Sequence, residues 1–255
     1  MRHVAAVAYL HIVIPRLYCP LSLTSGTEVQ LPRDAGHHAV RVLRLRAGDA
    51  VTLFDGRGGE FAAELAATDG RAVVARVGAR NRIDRESPLD VTVVHAVAAT
   101  DRMDYAVQKA VEMGARAIVP LMTRRSVVQL DARRAEKRVE HWRAIAIASC
   151  EQCGRNMLPE VASIREFGQW IADASDATTR LLLAPGAAAP LAGVARPVGA
   201  IQLLVGPEGG FTDDEVGAAV RAGFRPVHLG PRVLRTETAA AAALAAMNAL
   251  WGDWR

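Results

Sequence analysis

The sequence predicts an α/β protein in two parts. A small β-rich barrel or curled sheet is expected over residues 14–83, and a parallel sheet covered by helices over 84–255. The first expectation rests on short strand-like runs separated by turn signals. The second rests on a change of grammar after a polar stretch, where strands and helices begin to alternate. A chain of 255 residues, 51% hydrophobic, has the apolar material for two such parts.

In the first part, "AVTLFD" (50–55), "EFAAELA" (60–66) and "AVVARVGA" (72–79) are the strand candidates. "DGRGG" (55–59) and "TDG" (68–70) supply the turns, where glycine and aspartate tolerate tight backbone. "HHAVRVLRLRAGD" (37–49) precedes them and sets Arg41, Arg44 and Arg46 among apolar residues. "NRIDRESPLD" (81–90) is polar, contains Pro88, and reads as a linker.

Beyond it, "DVTVVHAVA" (90–98) reads as a strand and "DRMDYAVQKAVEMG" (101–114) as an amphipathic helix. Met103, Ala106, Val107, Ala110 and Val111 form its apolar stripe, with Asp101 as the expected N-cap and Gly114 as the stop. "AIVP" (117–120) is a strand, and a long helix covers roughly 131–152. "LLLAP" (181–185), "IQLLVGP" (201–207) and "PVHLGP" (226–231) are further strands, the last two followed by helices.

Residues 1–13 are mildly apolar, contain His3 and His11, and are too short to span a membrane. They read as an extension from a misplaced start codon, with no targeting role expected. Cys19, Cys150 and Cys153 are too few for a disulfide framework and fit a reducing cytoplasm. Cys150 and Cys153 form one CxxC pair without a second ligand pair, so reduced thiols and no metal are expected. His95 and His228 lie in strands and read as core or pocket-wall residues.

The net charge is +4, and Lys109 and Lys137 are the only lysines. The arginines lean weakly towards an anionic partner. An arginine-rich, alanine-rich composition also fits a GC-rich genome.

The chemistry concentrates in "LLVGPEGGFTDDEV" (203–216). A strand ends at Gly206-Pro207, and Thr212 with Glu215 makes a capping box for the next helix. Strand ends of this kind are where open α/β sheets bind ligands, and glycines let a ligand lie against main chain. No lysine follows Gly210, so the loop is no P-loop, and "GPEGG" lacks the dinucleotide spacing. Glu208 would repel a pyrophosphate. A neutral or cationic ligand fits better. "VHLGPRVLRTETAAAAAL" (227–244) repeats the pattern with Gly230-Pro231, with Thr236 or Thr238 as the helix cap and Arg232 and Arg235 on the rim. The two loops are expected to converge on one pocket.

These two segments resemble the 16S ribosomal RNA (uracil-N3)-methyltransferases acting on uridine 1498, of the SPOUT class of knotted enzymes. "VQKAVEMGARAIVPLMTRRSVV" (107–128), "AIAIASCEQCGRN" (144–156), "IPRLYCP" (14–20), "HHAVRVLRLRAGD" and "RESPL" (85–89) carry the same resemblance in the same order. It implies an N-terminal PUA-like β-barrel that holds RNA and a C-terminal trefoil-knotted methyltransferase domain. It also implies S-adenosyl-L-methionine as cofactor, a cytoplasmic homodimer, and 16S rRNA of the small ribosomal subunit as partner, with no membrane and no metal.

Residue by residue, the cofactor would meet Leu183, Val205, Gly206, Pro207, Glu208, Gly209, Gly210, Leu229, Gly230, Arg232, Leu234 and Arg235. Arg235 is the candidate to stabilise negative charge developing on the uracil, and Glu237 to orient it or accept the N3 proton. Arg235 could instead bind RNA phosphate or a partner carboxylate, and Glu237 could simply favour its helix N-terminus. The RNA candidates are Arg16, Arg41, Arg44, Arg124, Arg125, Arg155 and Asn156, with Arg133 and Arg134 clustered near the middle pair. The residues alone leave open another RNA, such as a tRNA, as substrate. They also leave open an inactive RNA-binding assembly factor, against which the two intact loops argue.

Overall fold

A computed structural model describes residues 14–68, 72–128, 130–173 and 179–254. The extension expected over 1–13 lies outside them. The chain divides into two compact units between Asp84 and Arg85.

The first unit is a five-stranded sheet. Its strands are β1 (Arg16–Tyr18), β2 (Glu28–Gln30), β3 (Ala50–Phe54), β4 (Glu60–Thr68) and β5 (Val73–Asn81), in the order β1-β3-β4-β5-β2. β3, β4 and β5 form an antiparallel meander, and β1 joins β3 in parallel. Alternate residues of β4 point inward, so Phe61, Ala63 and Leu65 join Leu17, Val51, Leu53, Ala75 and Val77 in one core. Between β2 and β3 the chain makes one helical turn, α1 (Arg33–His37), continued by a π-helical turn over His38–Val42. Sequence reading gave no element there, because each piece is too short to show a helical period.

The second unit is a parallel sheet with helices. Its strands are β6 (Val91–Ala96), β7 (Ala117–Met122), β8 (Glu160–Val161), β9 (Arg165–Glu166), β10 (Thr179–Leu183), β11 (Ile201–Val205) and β12 (Arg225–Val227). They run in the order β12-β10-β11-β6-β7-β8, with β9 also on β7, and every pairing is parallel. β11 is buried along its whole length, as a central parallel strand covered on both faces must be. The helices are α2 (Thr100–Glu112), α3 (Ala132–Cys153), α4 (Phe167–Ala172), α5 (Asp213–Arg221) and α6 (Thr236–Trp251).

The expected stripe of α2 is its buried face. Its cap differs: the helix starts at Thr100 with Ala99 at the N-cap, so Asp101 lies inside the first turn. Gly114 takes φ +85° and ends it. α3 is capped by Asp131 and stopped by Gly154 at φ +88°. α6 has Arg235 at its N-cap and no side-chain cap. The expectation that Thr236 or Thr238 caps it is therefore corrected, since the Thr236 hydroxyl is engaged elsewhere.

Cys150 is buried in the last turn of α3, where its thiol donates to the Met157 carbonyl at 3.8 Å. Among the described residues no helix is long and apolar enough to cross a membrane.

Candidate functional site

Because β10, β11 and β12 are parallel neighbours, their carboxyl ends emerge at one sheet edge. The loops that follow them line a cavity of about 580 Å³. Gly206, Glu208, Gly210, Leu229, Gly230, Arg232, Leu234 and Arg235 all face it, as do Leu183, Val205, Pro207 and Gly209. The two glycine–proline loops thus share one pocket. His228, expected in the core or on a pocket wall, lines it, whereas Arg102, Arg125, Phe211, Val216 and Thr236 were not expected there. They come from helices or from neighbouring loop positions, and no motif spacing marked them.

The loop after β11 is tightly held. Thr212 accepts from the Glu215 N–H at 3.3 Å, and the Glu215 carboxylate accepts from the Thr212 N–H at 2.8 Å. The predicted capping box is formed, and the other Glu215 oxygen accepts from the Arg124 N–H at 2.9 Å. Arg125 donates to the carbonyls of Gly209 and Phe211 at 3.0 and 3.3 Å. Glu208 accepts on one oxygen from the Ala99 N–H at 3.0 Å and pairs there with Arg102 at 3.1 Å. It therefore satisfies an amide at the start of α2 that no side chain of α2 satisfies. Its other oxygen, Oε2, is buried without a hydrogen-bond partner. A Cβ on Gly206 would lie 3.1 Å from the Phe211 ring, so glycine lets that ring close over the loop.

The loop after β12 is shaped differently. Gly230 takes φ +107°, a conformation that disfavours other residues, and its N–H donates to His228 Nδ1 at 3.0 Å. Arg232, Val233 and Arg235 are exposed, Val233 at 78%. At the loop's end the Thr236 hydroxyl donates to the Gly206 carbonyl at 2.5 Å, joining the two loops. Glu237 follows in the first turn of α6, with Oε2 buried and without a hydrogen-bond partner.

Behind this junction lies His95, 1% exposed at the end of β6 and in register with Val205. Its Nδ1 is 2.7 Å from the Ala96 carbonyl and its Nε2 is 3.4 Å from the Thr236 hydroxyl. Burial lowers its pKa, opposed by its contacts with Ala96 and Thr236 and by the charges of Glu208 and Glu237.

The RNA candidates separate. Arg41 and Arg44 are exposed, at and just beyond the π-helical turn, with Arg44 in the left-handed region at φ +58°. Arg124 is exposed beside Asp214, and Arg125 sits at the glycine loop. Arg155 and Asn156 are corrected: they are 5% and 2% exposed. Arg155 donates to the carbonyls of Val111 and Ala115 at the end of α2 and pairs with Glu86 at 2.7 Å. Arg16 is corrected likewise, its side chain largely buried against Glu60 and over the Phe54 ring. These side chains are spent on the protein's own interior, which a sequence position cannot reveal.

The second unit is thus a parallel sheet whose glycine-rich carboxyl-edge loops wall one cavity, and the first a small sheet of its own. Residues 85–248 match the family model described as an RNA methyltransferase domain, and residues 31–78 the one described as an RNA methyltransferase PUA domain, so the chain belongs to this RNA methyltransferase family. Its similarity extends to proteins named ribosomal RNA small subunit methyltransferase E. The one from Buchnera aphidicola (subspecies Schizaphis graminum) is 30% identical over 94% of this chain and 98% of its own. That from Synechocystis is 34% identical over 96% and 78%.

Among solved structures, a ribosomal RNA small subunit methyltransferase E from Neisseria gonorrhoeae bound to S-adenosyl methionine aligns with a TM-score of 0.89. It is 40% identical and covers 95% of this chain and 100% of its own. A Legionella pneumophila methyltransferase in complex with the bound cofactor SAM aligns at 0.91, with 36% identity over 94% and 99%.

Proposed function

We propose that this protein uses S-adenosyl-L-methionine to methylate N3 of one uridine, at position 1498, in the 16S rRNA of the small ribosomal subunit. The observation that carries the reading is the shared pocket of the two glycine–proline loops, in a chain of the RNA methyltransferase family. The residues present fit the cofactor. No lysine follows the glycine loop, so it is not a P-loop, and Glu208 within it disfavours a pyrophosphate. The pocket offers main-chain groups and apolar walls with the Glu208 carboxylate close by, which suit a nucleoside carrying a sulfonium charge and hydrogen-bond donors.

When bound, the cofactor supplies an electrophilic methyl group. The chain must then align the uracil, remove its N3 proton and steady the charge that develops on the ring. Arg235, exposed at the rim, stabilises that charge from the side of O2 or O4. Glu237, the residue after Thr236, orients Arg235 or accepts the proton; it is not on the pocket wall and its Oε2 is buried, so the second role needs a local movement of the start of α6. The loop over 206–211 holds the cofactor through main chain.

In the same reading the first unit is a PUA-like barrel that grips RNA through Arg41 and Arg44, and Arg124 and Arg125 are the RNA contacts of the second unit. Residues 14–83 and 84–255 act as these two domains. The second is tied in a trefoil knot, and the enzyme works as a cytoplasmic homodimer.

Calorimetry with S-adenosylmethionine tests the cofactor: binding is expected, and no heat would favour an inactive assembly factor. Primer extension across 16S rRNA from a deletion strain tests the substrate. A stop lost at one uridine and restored by this gene is expected; a stop that persists in the deletion strain rejects the assignment. Arg41→Ala and Arg44→Ala should each weaken RNA binding uniformly and lower the slope of log K against log salt by about 1. Unchanged slopes would remove the first unit from the RNA contact.

A further inference from the structure

Thr236 opens α6 without capping it, and its hydroxyl instead reaches back to the neighbouring loop. Resting on the cofactor reading above, we infer that Thr236, backed by His95, is a positioning residue that locks the two glycine–proline loops into one binding-competent arrangement. Two groups meet at that hydroxyl. It donates to the Gly206 carbonyl at 2.5 Å, and His95 Nε2 lies 3.4 Å from it. A carbonyl can only accept, so the 2.7 Å contact to Ala96 puts the ring proton of His95 on Nδ1. A neutral ring then turns the lone pair of Nε2 towards Thr236. The single hydroxyl proton goes to the Gly206 carbonyl at 2.5 Å, and His95 Nε2 at 3.4 Å is the weaker, alternative acceptor; both are fixed in the central sheet or directly after it.

The consequence is mechanical. Thr236 is 5% exposed and His95 1%, so water does not replace the contact freely. The start of α6 is pinned to the start of the 206–211 loop, while the exposed stretch from Arg232 to Arg235 hangs from that pin. Its loss lets the Arg235 end of the pocket move against the Gly206 end.

The test uses the full chain as wild type, Thr236→Val and Thr236→Ser. Valine keeps the shape and removes the hydroxyl; serine keeps the hydroxyl. In ligand-free protein, amide exchange of segments 203–216 and 227–240 should quicken at least tenfold in Thr236→Val and stay near wild type in Thr236→Ser. The dissociation constant for S-adenosylmethionine should rise by about tenfold or more for valine and less than threefold for serine. Unchanged exchange in Thr236→Val, or equal loosening in both variants, overturns the inference. Failure of the wild type to bind S-adenosylmethionine overturns the cofactor reading instead, and the exchange result still judges the pin. Should Thr236→Val not fold, Thr236→Ala is read in the same way: exchange of both segments at least tenfold faster than in Thr236→Ser is expected, and exchange equal to that of Thr236→Ser overturns the inference.

Discussion

The two glycine–proline loops look alike in sequence and are built on opposite plans. The loop after β11 is fastened from outside: Glu208 to the start of α2, Arg125 to two of its carbonyls, and Thr212 with Glu215 to its own helix. The loop after β12 is fixed near its ends, by Gly230 to His228 and by Thr236 to Gly206, and leaves Arg232, Val233 and Arg235 exposed. One is a fixed floor. The other presents side chains to whatever enters, as the proposed division between cofactor and RNA requires.

The sharpest way to break this contrast is Arg235→Ala. On the proposed role it should lower the methylation rate about 100- to 1000-fold, by analogy with loss of one charge-stabilising donor. Cofactor affinity should fall far less than the rate. Single-turnover methylation of 16S rRNA beside calorimetry reads both, and a wild-type rate removes Arg235 from the chemistry.

Next in size is Glu208→Ala on the fixed loop. It leaves the Ala99 N–H and Arg102 without their acceptor, and should cost about 1–3 kcal/mol of stability. Urea unfolding measures it, and a loss under a few tenths of a kcal/mol would mean that the clamp does not hold the loop.

The glycines sharpen the contrast further. Gly230→Ala forces a side chain into φ +107° and should cost about 1–2 kcal/mol. Gly206→Ala asks only that the Phe211 ring shift by a few tenths of an ångström, and should cost less. The reverse order in thermal melts would show that strain is not what shapes the second loop.

The smallest effect concerns pH. Burial holds the pKa of His95 below the usual value near 6.5, with Ala96, Thr236, Glu208 and Glu237 as the groups facing it. The unfolded chain therefore takes up this proton at higher pH than the folded one. The contribution of His95 is full above pH ~6.5 and is lost as pH falls below it. Unfolding free energy should decline between pH 7 and 5, less steeply in His95→Gln. Equal slopes in the two proteins would mean that His95 is not the titrating group.

Much of the fold was legible because its signals are local. The strands around 50–81, the stripe of α2, the stop at Gly114 and the Thr212–Glu215 box all depend on residues a few positions apart. α1 and α4 were missed because five or six residues cannot display a period. The convergence of the two loops was anticipated from their matching grammar, and parallel pairing of β10, β11 and β12 brings it about.

The sequence by itself therefore determined the class, the two-part layout and the glycine loops, since backbone preference and hydrophobic period are written in short spans. Only the tertiary structure decided which arginines are free. Arg155 and Asn156 read like an RNA contact and prove to be interior struts, while Arg125 became an anchor of the loop 84 residues further on. It likewise revealed His95 behind Thr236, 141 residues apart in the chain. Burial and partnership are properties of neighbours in space, and a charged side chain looks the same in sequence whether water or a carbonyl satisfies it.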